Sequence, residues 1–192
     1  MSNVSLPLNL EMAATSEMKN IALKYRPNAI CLVPENRLEL TTEGGLDVKN
    51  NSNFLRDFVK PLRDVGSKVS IFLAADQEQI DAAIMVGATT VELHTGKYCD
   101  FHSDQNFAEK KTEFNKIRKM AEYASSHGME VHAGHGLTLE TVTEISSVPQ
   151  IEELNIGHSL ISDAIFSGLY RAIENMRLKM DEGRTRDIEG FD

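Results

Sequence analysis

Short apolar runs alternate along the chain with longer segments in which apolar residues recur every three or four positions. The short runs predict six β-strands, at residues 6–10, 29–33, 68–74, 89–94, 129–133 and 152–156. The longer segments predict a helix after each strand, at residues 15–25, 50–65, 76–86, 104–127, 138–147 and 159–180. Strands that alternate with helices pair in parallel through right-handed crossovers. The pattern therefore predicts an α/β protein of about six β-α units.

The predicted helices differ in regularity. Helix 159–180 has the clearest period, with apolar residues at Ile161, Ile165, Leu169, Ile173, Met176 and Met180. Pro61 lies inside helix 50–65 and predicts that this helix is kinked or split. Residues 181–192 carry no sustained period, so we expect one domain over residues 1–180 followed by a frayed polar tail.

Two architectures fit this alternation, an open doubly wound sheet and a (β/α) barrel. Functional side chains collect at one switch point in the open sheet, whereas in a barrel they lie at the carboxyl ends of many strands. Polar or glycine positions follow most of the predicted strands: Glu11, Thr41, Thr42, Glu43, Glu92, His94, His132, His135, Gly157 and His158. This distribution favours a TIM-type (β/α)8 barrel. A complete barrel usually needs about 250 residues, so we expect a partial barrel that lacks about two units.

Charge and cysteine content limit which ligands and which cellular compartment we expect. The net charge is −9, from 29 acidic and 20 basic residues, which argues against a nucleic-acid binder. An anionic ligand would have to be bound largely by backbone N–H groups. No segment is apolar enough to span a membrane, and the first residues do not resemble a signal peptide. The two cysteines, Cys31 and Cys99, indicate neither a disulfide framework nor a zinc site, so we expect a cytoplasmic protein.

Two early segments carry candidate chemistry. Glu11 lies near the end of a predicted strand among apolar neighbours, where a carboxylate is suited to act as a general base; a salt-bridged glutamate is the simpler alternative. In the loop at residues 40–47, Gly44 and Gly45 allow positive φ angles and close approach of the backbone to a ligand. The hydroxyls of Thr41 and Thr42 could donate to phosphate oxygens, although an ordinary loop would show the same residues.

Three later segments are more specific. Glu92 and His94 alternate on one strand and share a face, where a buried charge is costly unless it is paired or used. A neutral, hydrogen-bonded His94 is the simpler interpretation. His135 stands between two glycines at a strand end and is suited to proton donation, since histidine titrates near neutrality. His132 and His135 are three residues apart on an extended segment and are expected to face opposite sides. Glu92 and His158 could complete a metal site, but nothing fixes that spacing, so we predict none.

The last candidate segment runs from a strand through Gly157 and His158 into a helix that begins near Ser159. A helix N-terminus preceded by glycine is a natural phosphate site, and the last loops of a barrel often have this role. A plain N-cap at Ser159 is the alternative.

Together these segments resemble one known family. The motifs are Asn9-Leu-Glu-Met-Ala13, Cys31-Leu-Val-Pro-Glu35, Thr41-Thr-Glu-Gly-Gly-Leu-Asp47, Glu92-Leu-His-Thr-Gly96, Ala133-Gly-His-Gly136 and Glu153-Leu-Asn-Ile-Gly-His158. In this order they are similar to the pyridoxine 5′-phosphate synthase family of vitamin B6 biosynthesis. The resemblance implies a (β/α)8 barrel that condenses 3-amino-2-oxopropyl phosphate with 1-deoxy-D-xylulose 5-phosphate. The products are pyridoxine 5′-phosphate, inorganic phosphate and water.

The resemblance also implies roles for residues of this chain. Glu11 would be a proton acceptor, His135 the proton donor and Glu92 a transition-state stabiliser. Thr41 would contact the deoxyxylulose phosphate. The phosphate of the amino ketone would be held by Gly136, Gly157 and His158. No metal or organic cofactor is implied, and the partners are small phosphorylated substrates together with further copies of the chain, usually in an octamer.

One departure from the family is large. Family members carry two more β-α units before the Asn-Leu-Glu-Met motif, and these supply a further catalytic histidine and arginine ligands of phosphate. The resemblance therefore predicts an N-terminally truncated synthase that makes no product alone. The alternative is a non-catalytic remnant of the barrel that binds at most one phosphate compound. In both cases the six strands should form an open, curved sheet with strands 6–10 and 152–156 at its edges.

Overall fold

A six-stranded parallel sheet forms the centre of the structure, a computed structural model that describes residues 5–35, 39, 41 and 44–186. The strands are β1 (Asn9–Ala13), β2 (Ala29–Val33), β3 (Lys68–Leu73), β4 (Thr90–His94), β5 (Glu130–Gly134) and β6 (Ile151–Asn155). Their order in the sheet is the order along the chain, whereas a doubly wound sheet reverses its order at a switch point. The sheet is therefore a half-barrel, and the doubly wound alternative is wrong.

Helices connect the strands and cover the convex face of the sheet. They are α1 (Ser16–Tyr25), α2 (Ser52–Asp64), α3 (Gln77–Val86), α4 (Gly96–Ser103), α5 (Phe107–Ser126), α6 (Val142–Ser146), α7 (His158–Ser167) and α8 (Leu169–Arg186). None of these described helices combines the length and the apolar character that crossing a membrane requires.

The two faces of the sheet differ in character, because successive side chains of a strand point to opposite sides. One face packs against the helices and supplies buried core residues, including Ile30, Leu32, Val69, Ile71, Val91, Leu93, Val131 and Ala133. The other, concave face carries buried polar side chains, with Cys31 in register with Ser70 and Glu92 in register with His132. The half-barrel thus offers a polar concave surface to a ligand.

Both edges of the sheet are open, as the sequence predicts. Within the described residues, β1 pairs only with β2 and β6 only with β5. The predicted position of β1 at residues 6–10 is wrong by three residues. Leu6 is 75% exposed, and the parallel register pairs Asn9 with Ala29 and Ala13 with Val33. Hydrogen bonding to β2, rather than the local apolar run, therefore determines where β1 lies.

Two predicted helices also differ from the structure. The helix expected at residues 104–127 is preceded by a separate helix, α4, and begins at Phe107. The helix expected at residues 159–180 is divided into α7 and α8 by Gly168, whose φ is 82°. Glycine adopts this left-handed conformation without steric cost.

The predicted frayed tail is wrong at its beginning, because α8 continues to Arg186. The guanidinium of Arg184 donates to the carbonyl of Val148 at 2.8 Å and also to the carbonyl of Ile151. These bonds tie the end of α8 to the connection between α6 and β6. Residues 187–192 of the expected tail lie outside the described residues.

Pro61 lies inside α2, which continues past it to Asp64, so the split that the sequence allowed does not occur. A proline has no N–H, so the carbonyl four residues before it, that of Asp57, loses its helical partner. Lys19 of α1 donates its ammonium group to this carbonyl at 3.4 Å. A contact between neighbouring helices thus replaces the bond that the proline removes.

Candidate active site

A cavity of about 970 Å³ opens at the carboxyl ends of the strands, on the concave side of the sheet. This is where a (β/α) barrel carries its active site. Six of the seven residues predicted to act on substrate line it: Glu11, Glu92, His135, Gly136, Gly157 and His158. The structure therefore brings together residues that are up to about 150 positions apart in the sequence.

Glu92 is the most enclosed carboxyl group of the cavity. Its side chain is buried, and its Oε2 accepts hydrogen bonds from Asn155 Nδ2 at 2.8 Å and from Cys31 Sγ at 3.3 Å. Burial raises the pKa of Glu92, and the charge of Glu11 adds to this, while the two hydrogen bonds act in the opposite direction. Glu92 is thus a fixed carboxyl group that takes up a proton more readily than an exposed one.

Gly134 makes room for this carboxyl group. A Cβ atom at this position would clash with Glu92 Oε1 and would lie 3.0 Å from the carbonyl oxygen of Asn155. Sequence reasoning did not connect Gly134, Asn155 or Cys31 with Glu92. Strand alternation could have found these contacts, since the register places Cys31 and Asn155 on the same side of the sheet as Glu92.

His135 stands on a constrained turn at the end of β5. Its φ is 78° and that of Gly136 is 82°, the left-handed region that a histidine seldom occupies. Thr95 holds this turn, because its N–H donates to the carbonyl of Gly134 at 2.9 Å. Its hydroxyl lies 2.7 Å from that oxygen and 2.6 Å from the carbonyl oxygen of His135. The backbone is therefore fixed, while the His135 side chain is exposed to the cavity.

His94 is the neutral, hydrogen-bonded histidine that the sequence indicated. Its Nδ1 accepts a hydrogen bond from the N–H of Gly96 at 3.1 Å. Burial, followed by the charge of His135, lowers the pKa of His94 to about 4. The rings of His94 and His135 are stacked, with centroids 4.8 Å apart and planes inclined by 26°.

Glu11 lines the cavity but does not have the apolar surroundings that we expected. It is the third residue of β1, paired with Cys31 of β2, and its side chain is exposed. The physical reason is that β1 is an edge strand, so only one of its sides is covered by a neighbouring strand.

Thr41 does not line the cavity, unlike the other predicted site residues. Its hydroxyl donates to the carbonyl of Gly44 at 2.6 Å, and its N–H donates to the carbonyl of Gly45 at 3.1 Å. The two glycines, with φ angles of 88° and 82°, form the part of this loop that faces the cavity. Thr42 and Glu43, which we also considered, lie outside the described residues.

The beginning of α7 faces the cavity with uncapped backbone N–H groups. Gly157 is the N-cap residue, and no side chain caps this helix. The hydroxyl of Ser159 donates to the carbonyl of Leu137 at 2.6 Å, so the alternative of a plain N-cap at Ser159 is wrong. Free N–H groups and the helix dipole make such an end suitable for a phosphate group.

His132 lies on the concave side as well, but away from the cavity opening. Its Nε2 is 3.0 Å from Glu130 Oε1 and its Nδ1 is 3.7 Å from Glu153 Oε1. The expectation that His132 and His135 face opposite sides is wrong, because the left-handed backbone at His135 interrupts the strand alternation. Among the described residues, no group of three or more His, Cys, Asp or Glu side chains is arranged to hold a metal ion.

Comparison with known proteins gives close sequence relatives. A family model described as "Pyridoxal phosphate biosynthesis protein PdxJ" matches residues 1–182. The pyridoxine 5′-phosphate synthases of Ruegeria pomeroyi and Roseobacter denitrificans are each 54% identical over 184 residues, 96% of this chain and 74% of the relative. That of Bradyrhizobium diazoefficiens is 46% identical with the same coverage. The chain thus spans about three quarters of the length of these relatives.

Solved structures with low sequence identity share the fold. The 3-keto-L-gulonate-6-phosphate decarboxylase of Vibrio cholerae is 14% identical, with a TM-score of 0.59, over 91% of this chain and 72% of that one. The BexX/CysO complex of Amycolatopsis orientalis contains a chain that is 17% identical, also with a TM-score of 0.59, over 91% of this chain and 66% of that one.

Proposed function

Because the chain belongs to the pyridoxal phosphate biosynthesis protein PdxJ family, we propose that it acts as a pyridoxine 5′-phosphate synthase. Its substrates would be 3-amino-2-oxopropyl phosphate and 1-deoxy-D-xylulose 5-phosphate, condensed in a ring-closing, transferase-type reaction of vitamin B6 biosynthesis. The observation that carries the proposal is the convergence of all six family motifs, from six different strand ends or loops, on one cavity.

Among the described residues, no Lys or Arg lines the cavity, so the proposed phosphate sites use backbone groups. The uncapped start of α7 at Gly157 and His158 offers N–H groups to the phosphate of the amino ketone. Gly136, in a left-handed turn beside it, has a backbone that can contribute to the same site. The second phosphate would lie near the loop of Gly44 and Gly45, which Thr41 closes by its hydrogen bonds.

Proton transfer would involve groups from separated strands. The condensation loses water and inorganic phosphate, so it needs a donor that protonates a leaving oxygen and an acceptor that removes a proton from carbon or nitrogen. His135, exposed at the end of β5, is the proposed donor, and Glu11, exposed on β1, the proposed acceptor. Three strands separate β1 from β5, so the two groups would flank a substrate that lies across the concave face.

Glu92 would act between these two groups. Its Oε2 is held by Asn155 and Cys31, so its carboxyl group cannot rotate freely. A carboxyl group with a raised pKa can keep a proton for hydrogen bonding or give it up as charge develops on the substrate. This supports the proposed role of Glu92 as a stabiliser of the transition state rather than as the first base.

The remnant interpretation is the second candidate, and one observation favours it. The sheet is open between β1 and β6, and Glu11 at that opening is exposed. In this alternative the chain retains the phosphate site at α7 and lacks turnover. By the same family resemblance, the working protein would be cytoplasmic and a homo-oligomer. Light scattering of the purified protein tests the oligomeric state.

One assay with two arms separates the candidates. Purified residues 1–192 are incubated with both substrates, first alone and then with the segment that precedes the Asn-Leu-Glu-Met motif in a full-length family member, added as a separate chain. Formation of pyridoxine 5′-phosphate only in the second arm is expected, since loss of one proton-transfer group typically lowers a rate by about 10²–10⁴-fold. Turnover in the first arm would show that the chain is sufficient. No turnover in either arm, together with binding of inorganic phosphate, would establish the remnant.

A further inference from the structure

His94 holds a position in the cavity that the proposed roles do not use. Its ring is stacked on that of His135 at a centroid distance of 4.8 Å, and the ring of Phe72 approaches His135 at 6.1 Å. Within the described part of the chain, the His135 side chain makes these ring contacts and no hydrogen bond, while its backbone carbonyl accepts from Thr95 and Cys99. The orientation of the His135 ring therefore depends on the surface against which it stacks.

The His94 ring itself is confined from several sides. Gly96 donates to its Nδ1 at 3.1 Å, and the ring of Phe72 lies 5.0 Å away. A Cβ atom at Gly44 would lie 3.1 Å from its Nε2, and one at Gly96 would clash with its Cε1. Two glycines and one aromatic ring thus form a fitted site for this imidazole.

The hydrogen bonding also determines the charge of His94. Because Nδ1 accepts, the proton of the neutral ring is on Nε2. Burial and the charge of His135 lower its pKa to about 4, with Asp100 of α4 opposing and Lys97 of α4 adding to the effect. His94 is therefore uncharged at neutral pH, so it does not repel a protonated His135 stacked on it.

We propose that His94 is a positioning residue: a neutral ring that fixes the orientation of the His135 imidazole at the open side of the cavity. The inference rests on the proposed function only in that His135 transfers a proton there. A proton donor must lie within hydrogen-bonding distance of the atom it serves, so a freely rotating ring would lose rate. Stacking restricts that rotation without occupying either ring nitrogen of His135.

Two substitutions separate stacking from the other properties of His94. His94→Phe keeps a flat neutral ring and removes both ring nitrogens. His94→Asn keeps an acceptor that can bind the N–H of Gly96 and removes the ring. If positioning by stacking is the role, the Phe variant behaves like the wild type and the Asn variant does not.

The first measurement does not depend on turnover. NMR of the purified chain records the ring-proton shifts of His135 and its cross-peaks to residue 94. The internal control for folding is His127, whose ring lies 4.3 Å from that of Tyr123, with the planes inclined by 41°. We expect His94→Asn to remove the part of the His135 ring-current shift that comes from His94, leaving that of Phe72, and His94→Phe to retain it, with His127 unchanged in both. Unchanged His135 resonances in His94→Asn would overturn the proposal.

The second measurement uses whichever assembly makes product. His94→Asn should lower kcat by about 10- to 100-fold with little change in KM, less than full loss of the donor, and His94→Phe should restore most of it. Equal losses in both variants would assign the role to a ring nitrogen and overturn positioning by stacking. If no assembly turns over while the NMR result holds, the proposed function fails and the structural role of His94 stands.

Discussion

Asn155 of β6 donates a 2.8 Å hydrogen bond to Glu92 of β4, across the end of the strand that lies between them. The bond passes Gly134 of β5, where a Cβ atom would clash with Glu92 Oε1. A glycine on the middle strand therefore lets two side chains from non-adjacent strands meet. This contact joins β4 to β6 over β5 in the lining of the cavity.

Gly134→Ala is expected to break this arrangement. The added methyl group would displace the Glu92 carboxyl group, and such overpacking typically costs about 1–3 kcal/mol. Thermal and urea unfolding should show the loss. Gly157→Ala is the matched control for stability, because a Cβ there meets nothing within 4 Å and its φ is negative. Equal stability of Gly134→Ala and the wild type would mean that the carboxyl group is not held where the structure places it.

Glu92→Gln should stabilise the protein at neutral pH. Burial raises the pKa of Glu92, so the folded state binds this proton more tightly than the unfolded chain does. The contribution of this proton to the free energy of unfolding is fully present below the pKa of Glu92 in the unfolded chain. It is lost as the pH rises through the pKa of Glu92 in the folded state. The variant should therefore unfold at a higher temperature than the wild type at pH 7–8, and the difference should vanish as the pH falls toward about 4.

Glu130→Gln is the control of opposite sign. The hydrogen bond from Lys68, then that from His132, lowers the pKa of Glu130. Its stabilising effect is present above the unfolded pKa and is lost on acidification. This variant should unfold at a lower temperature than the wild type at neutral pH, with the difference shrinking in acid. The same sign for both variants across this range would contradict the assignment of Glu92.

His135→Asn should reduce turnover and leave phosphate binding largely intact. Removal of a general acid lowers a rate by about 10²–10⁴-fold, whereas the proposed phosphate site uses backbone groups of Gly136 and Gly157. Turnover is measured in whichever assembly is active, and phosphate affinity by calorimetry on the same preparation. Full activity of the variant would remove His135 from the mechanism.

Sequence periodicity predicted the elements best where both faces of a strand are covered. The strand expected at residues 29–33 is β2 without any shift, because it is buried on both sides and forms a continuous apolar run. The edge strand β1 was misplaced, since Leu6 and Leu8 are apolar but exposed, and pairing with β2 decides its position. The local hydrophobic pattern gives no information about the register between β1 and β2.

In the candidate site, too, some residues could be predicted from the local sequence, whereas others depend on strand pairing. Residues at strand ends, such as His135 and Gly157, were found because a barrel collects its polar groups there. The partners of Glu92 were not found, because Cys31 and Asn155 meet it only through the register of other strands. Short motifs thus identify cavity-lining residues, whereas the contacts that tune them depend on the assembled sheet.

Arg184→Ala should destabilise the fold although it lies beyond residue 180. Its guanidinium group donates to the carbonyls of Val148 and Ile151, and a hydrogen bond that involves a charged group typically contributes about 1.5–3 kcal/mol. Arg177→Ala, an exposed position of the same helix, is the control and should have little effect. Equal unfolding midpoints for the two variants would show that the end of α8 contributes nothing to stability.

The apolar surface of α7 leads to the last prediction. Ile165 is 77% exposed and Phe166 is 91% exposed, and they adjoin further exposed apolar residues at Ile161, Leu169 and Tyr170. No residue of α7 is buried. Contiguous apolar patches of this kind promote association, whereas single exposed apolar residues are common and harmless.

The purified chain should therefore bind a hydrophobic dye and associate as its concentration rises, and the double substitution of Ile165 and Phe166 by Ser should reduce both. Dye fluorescence and light scattering over a concentration series measure the two effects. Met85→Ser, which changes an isolated apolar side chain of α3 that is 75% exposed, is the matched control and should alter neither. Association that persists in the double variant would place the contact elsewhere, at the open edges of β1 and β6 or on another surface.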